Sequence, residues 1–75
     1  MMKSDILGLL RKHGHHLQQD QATVLRMRLI EQRPRSDVAA TIGASTLGEV
    51  SRTYSRAIDR LVWIEESEQR NKEAI

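Results

Sequence analysis

The chain of 75 residues has no cysteine and no phenylalanine, and only one proline, one tryptophan and one tyrosine. Without cysteine there is neither a disulfide framework nor a thiolate zinc site, so a small fold must be held by apolar packing among Leu, Ile, Val, Ala and Met. Four glycines, a single proline and no β-branched run favour helices over sheet. The longest early apolar stretch, ILGLL, is far shorter than the ~18 residues of a candidate membrane span, and no small-residue cleavage site follows it. A cytoplasmic chain with no membrane partner is expected. A chain of this length makes one domain at most and buries too small a fraction of its surface to be generously stable alone, so a homodimer is a possible means of completing the core.

Charge is present in moderation but unevenly. The formal net charge is +2; residues 1–60 carry ten Lys/Arg against six Asp/Glu, and residues 61–75 carry two against four. A basic body with an acidic tail is compatible with a nucleic-acid partner.

Local signals divide the chain into four helices. Ser4 suits the cap of a first helix over about 5–13, with Ile6, Leu7, Leu9 and Leu10 on its apolar face and Gly14 in the left-handed position beyond it. HHLQQD has no period and reads as a turn, with Asp20 capping a second helix. That helix buries Ala22, Val24, Leu25, Leu29 and Ile30 and ends near Gln32, because Pro34 disfavours helical geometry at Arg33. Ser36 caps a two-turn third helix with Val38, Ala39 and Ile42 inward, closing on Gly43. Thr46 followed by Glu49 is a capping box that opens the fourth helix at Leu47. Leu47, Val50, Tyr54, Ala57, Leu61 and Ile64 then step by threes and fours along one seam, which turns polar at Glu68 and Asn71. The fold class expected is therefore all-α: one small four-helix domain over residues 1–75, with a helix-turn-helix at about 36–61, a long C-terminal helix and an exposed helical tail at 65–75.

The stretches LQQDQATVLRMRLIE, DVAATIG and EVSRTYSRAIDRL, in that order and with that spacing, resemble region 4 of the bacterial sigma factors, the helix-turn-helix domain related to the LuxR-type activators. The likeness covers about Leu17 to Leu61. It implies a leading helix, a scaffold helix in which small Ala39 and Ala40 allow close approach, a glycine turn, and a last helix that enters the major groove. Two features depart from the family pattern: the turn needs about one extra residue, and Leu47, Gly48 and Glu49 stand where the family presents Arg and Glu. Promoter recognition therefore does not transfer residue by residue.

If the fourth helix enters a major groove, Thr46, Gly48, Ser51, Arg52, Ser55 and Arg56 lie on or near its outward face. Arg52 then meets a guanine edge or a phosphate, and Arg56 and Arg60 hold the backbone. Lys12, Arg26, Arg28, Arg33 and Arg35 would add sequence-independent contacts. Glu49 opposes phosphate unless capping turns its carboxylate back. The leading expectation is a transcription-associated regulator that binds duplex DNA. The alternative is a phage- or plasmid-type inhibitor or adaptor that binds RNA polymerase or another host protein on the same scaffold.

Ile58, Val62 and Trp63 lie beside the seam and make the fourth helix apolar over much of its circumference. Either Trp63 packs on Leu7, Leu9 and Leu10, or this face is a dimer or partner interface. In HGHH, the three imidazoles lack the one-turn spacing of paired ligands and no nearby acidic residue completes a set, so a surface turn with no metal is expected. No nucleophile, phosphate loop or catalytic spacing is present, so neither an enzyme nor a cofactor is expected.

Overall fold

The computed structural model describes residues 3–73. Among them the chain forms four α-helices and no strand: α1 (Lys3–His13), α2 (Gln19–Leu25), α3 (Arg35–Ile42) and α4 (Leu47–Glu73). A 3₁₀ turn (Gly14–His16) follows α1, and α2 runs on into a π-helical turn (Arg26–Ile30). At about 1.5 Å per residue the 27 residues of α4 make a rod of roughly 40 Å. The other helices lie along it, and the longest extent of the molecule is 45 Å.

Two apolar clusters fix this arrangement. Ile6, Leu25, Leu29, Ala57 and Leu61 join α1 and α2 to the middle of α4, with Leu7, Leu9, Leu10, Leu17 and Ile58 packed around them. Val24, Met27, Val38 and Val50 join α2 and α3 to its first turns, with Ala39, Ile42 and Ala44 alongside. Tyr54 packs against both clusters. Leu25, Leu61, Val24, Val38 and Val50 are fully buried. Each such side chain stabilises the fold by about 1.5–3 kcal/mol relative to exposure.

The turn between α3 and α4 forms as the residues demand. Gly43 adopts φ 72°, ψ 27°, and the amide of Ala44 donates to the carbonyl of Ala39 at 2.9 Å. A left-handed glycine after the last helical residue satisfies a carbonyl that would otherwise face no donor. The Glu49 amide then donates to Thr46 Oγ1 at 3.2 Å, as a capping box requires. The return bond is displaced by one residue: Glu49 Oε2 accepts from the amide of Ser45 at 3.0 Å.

Other boundaries differ from the sequence reading. Because α1 begins at Lys3, Ser4 lies within it rather than flanking it. Gly14 opens a 3₁₀ turn, and Gly43 is the glycine with positive φ among the described residues. Gln18, not Asp20, precedes α2, and its amide donates to the Gln21 side chain at 3.3 Å. Pro34, not Ser36, flanks α3; its carbonyl accepts from the amides of Asp37 and Val38. Ile30 is exposed and Met27 is buried. The Glu31 amide reaches back five residues to the Arg26 carbonyl, so this wider turn breaks the three-four step that pointed Ile30 inward. The helix then stops through Gln32 at φ 55°, with the Arg33 amide donating to the Met27 carbonyl at 2.8 Å. The bond spans six positions, one more than the closing bond of a Schellman motif, in keeping with the widened turn before it, and the left-handed residue here carries a Cβ. Leu47 heads the expected seam but is half exposed.

The tail is helical to Glu73, and positions 74 and 75 of the expected extension lie outside the described residues. It is not wholly exposed, because Glu65 and Glu68 are tied to Lys12 and His13 of α1. No helix among the described residues is long and apolar enough to cross a membrane.

Candidate nucleic-acid interface

The residues expected to face DNA occupy two strips of α4. At about 100° per residue, Gly48, Arg52 and Arg56 fall on the side away from Val50, Ala57 and Leu61, and all three are exposed. Ser51 and Ser55 fall on the flank toward α3, Ser51 half-buried and Ser55 exposed. Thr46 is exposed, with its hydroxyl engaged by the Glu49 amide. The Glu49 carboxylate is held back on Ser45 and so turned away from Arg52 and Arg56.

Arg35, the first residue of α3, donates from Nη1 to Ser51 Oγ at 3.3 Å. This contact brings the start of the scaffold helix against the second turn of α4. Together with Arg28, Leu29, Val50, Tyr54 and Ser55, the pair lines an open groove of about 440 Å³. Two guanidinium-bearing residues and three hydroxyl-bearing ones stand around it beside the apolar Leu29 and Val50. Such a groove suits an anionic, hydrogen-bond-accepting ligand segment.

The other basic residues are differently employed. Arg26 and Arg33 both bind Glu31, through Nε at 3.3 and 2.8 Å. The Arg33 hydrogen bond, with further help from Arg26, holds the Glu31 carboxyl below its ordinary pKa. Arg33 also lies 3.8 Å from Asp37. Lys12 lies 3.2 Å from Glu65 and 3.8 Å from Glu68. Arg28 Nη1 donates to the Arg33 carbonyl at 2.6 Å, a neutral partner that leaves its charge uncompensated. Arg60 sits over the Trp63 ring, 5.0 Å from its centroid. Of the seven cations singled out outside Arg60, four therefore remain without an ion pair among the described residues: Arg28, Arg35, Arg52 and Arg56. All four lie around the first turns of α4.

Of the three residues expected at a dimer or partner interface, Ile58 packs into the core, Val62 is half-buried, and Trp63 is 54% exposed. More than half of Trp63 is open to solvent, so at most part of its ring is covered by the bundle.

The histidine turn divides. His15 and His16 are exposed, their rings tilted by 41° to one another with centroids 4.0 Å apart. His13 closes α1 and is buried, a correction to the surface turn expected of it. Its Nε2 lies 2.5 Å from Glu65 Oε2 and 3.0 Å from Glu68 Oε2. Those acids are more than fifty positions away, and the only sequence signal for them was their i, i+3 spacing on a helix face. Hydrogen bonds from His13 first, then Gln69 and Lys12, push the Glu65 carboxyl down to about 2.

The compact bundle and the α3–turn–α4 corner make a helix-turn-helix-like scaffold of a general kind. No protein-family model, curated protein or solved structure matches the chain. Nothing beyond the motif likeness therefore connects this scaffold with sigma factor region 4 or the LuxR-type activators in particular.

Proposed function

We propose that the chain binds duplex DNA through the first three turns of α4, as a small regulator associated with transcription. In this reading Arg52, Ser51, Ser55, Gly48 and Thr46 approach base edges in the major groove, while Arg35, Arg28 and Arg56 hold phosphates on either side. The observation that carries it is the sorting of cations: those beside α4's first turns are left without carboxylates, while Lys12, Arg26 and Arg33 are neutralised elsewhere. A solvated helix face has no need of Arg35 reaching across sixteen positions to Ser51.

Retardation of random duplex DNA at low salt tests the reading. Binding that weakens steeply as salt rises, and that is lost in Arg52→Ala/Arg56→Ala, is the expected result. No retardation at any salt would reject it in favour of the protein-binding inhibitor or adaptor. The half-exposed Trp63 favours that rival or a homodimer, since a large exposed aromatic anchors many interfaces. Sedimentation of Trp63→Ala beside the unaltered chain separates these: a dimer held there dissociates in the variant.

A further inference from the structure

We propose that His13, Glu65 and Glu68 form a binding site for a divalent first-row transition metal ion of the zinc class, placed between the end of α1 and the last turns of α4.

The geometry sets the problem that a metal solves. Two carboxylate oxygens converge on one imidazole nitrogen: Glu65 Oε2 at 2.5 Å and Glu68 Oε2 at 3.0 Å from His13 Nε2. A single ring N–H serves one of them, and the short contact goes to Glu65. Glu68 Oε2 is left buried and without a hydrogen-bond partner. A buried anionic oxygen in that position costs free energy that a shared cation removes. The imidazole that aims at the pair is itself nearly inaccessible, with 4% of its side chain exposed.

The three ligand atoms lie within 4.8 Å of one another. In a tetrahedral site with bonds of about 2.0–2.2 Å the ligand atoms stand roughly 3.3 Å apart. The two contacts of His13 Nε2, at 2.5 and 3.0 Å, therefore need to widen by less than about an ångström, while the two carboxylate oxygens start no more than 4.8 Å apart. One nitrogen and two carboxylate oxygens with no thiolate is a borderline donor set, suited to Zn²⁺ or its neighbours, and it leaves a fourth position open to water. The remaining contacts act as supports. Glu65 Oε1 accepts from Lys12 Nζ at 3.3 Å and from Gln69 Nε2 at 3.2 Å, fixing the carboxylate's orientation. Lys12 Nζ also lies 3.2 Å from Glu65 Oε2 and 3.8 Å from Glu68 Oε2, so the ammonium competes for the oxygens a metal would take. On binding, His13 would serve as a neutral imidazole with its proton on Nδ1, leaving the Nε2 lone pair for the ion, which takes the place between the carboxylates.

The test uses the full untagged chain, with ZnCl₂ and CoCl₂ as probes and MgCl₂ as the control. Zn²⁺ is expected to raise Tm by several degrees and to shift the His13 ring resonances, Co²⁺ to give a visible absorption band, and Mg²⁺ to do neither. Glu68→Gln keeps the shape of a half-exposed side chain and is expected to weaken Zn²⁺ binding at least tenfold. Lys12→Gln is expected to tighten it, and His15→Ala/His16→Ala to leave it unchanged. Absence of any Zn²⁺ or Co²⁺ response overturns the proposal. So does a response that survives Glu68→Gln at full strength, or one that vanishes in His15→Ala/His16→Ala, which would place the ion on the exposed histidine pair.

Discussion

From Leu47 to Leu61, α4 carries three arginines against two acids and meets the bundle with Val50, Ala57 and Leu61, all essentially inaccessible. From Val62 to Glu73 it carries four acids against two bases, and Glu65 and Glu68 tie it to α1. One continuous helix thus has an apolar seam under a cationic surface at one end and an ionic seam under an acidic surface at the other. The difference teaches where each half can look for ligands. The first half has its core satisfied by hydrocarbon and its arginines without ion pairs among the described residues; the second commits Glu65 and Glu68 to α1. Anions suit the one and cations the other.

The sharpest way to break this contrast is to cut each seam in turn. Leu61→Ala removes a fully buried side chain from the junction of α1, α2 and α4, and is expected to cost about 2–5 kcal/mol in urea unfolding. Lys12→Ala cuts only half-exposed ion pairs, and is expected to cost no more than about 1 kcal/mol. Equal losses would mean that the ionic seam is as important as the apolar one.

The corner that aims the cationic half is expected to be the next most sensitive place. A Cβ on Gly43 meets nothing within 4 Å, so Gly43→Ala isolates the backbone strain of φ 72° and is expected to cost about 1–2 kcal/mol. Thr46→Ala removes the acceptor for the Glu49 amide and is expected to cost about 1 kcal/mol. Gln32→Gly tests the other left-handed residue with the opposite sign: relief of strain at φ 55° is expected to stabilise by up to about 1 kcal/mol.

The smallest effect expected is acid sensitivity of the second half. The Glu65 carboxyl is lowered from 4.5 to about 2 in the folded chain. A depressed carboxylate contributes stability above its unfolded pKa and loses it as pH falls through the folded one. The Tm of the unaltered chain is therefore expected to fall more steeply than that of Glu65→Gln between pH 4.5 and about 2, as a thermal scan across that interval measures.

The same division governs what could be read from the residues. Helix number, the four-helix all-α class and the α3–α4 corner were legible because their signals are local: Thr46 and Glu49 lie three positions apart, Gly43 sits at a helix end, and the seam through Val50, Ala57 and Leu61 repeats. The π turn at Arg26–Ile30 was not, since one added backbone residue leaves no compositional mark, and Met27 and Ile30 exchanged places as a result. Gln32 in a left-handed conformation was hidden for a related reason, being a residue type that gives no sign of it. His13 was misplaced because its partners arrive only when α1 folds along α4. In the candidate site, Arg52, Arg56, Gly48 and Ser55 could be placed outward from helical period alone. The Arg35–Ser51 contact and its groove with Arg28 required the tertiary packing of α3 on α4.

The most direct measurement is the map of backbone amide shifts on titrating the chain with a short random duplex at low salt. Shifts concentrated at Arg28, Arg35 and positions 46–56, with residues 65–72 unmoved, are the result expected if the cationic half of α4 faces DNA. Shifts centred on Trp63 and the acidic half, or no shifts at saturating duplex, would contradict it.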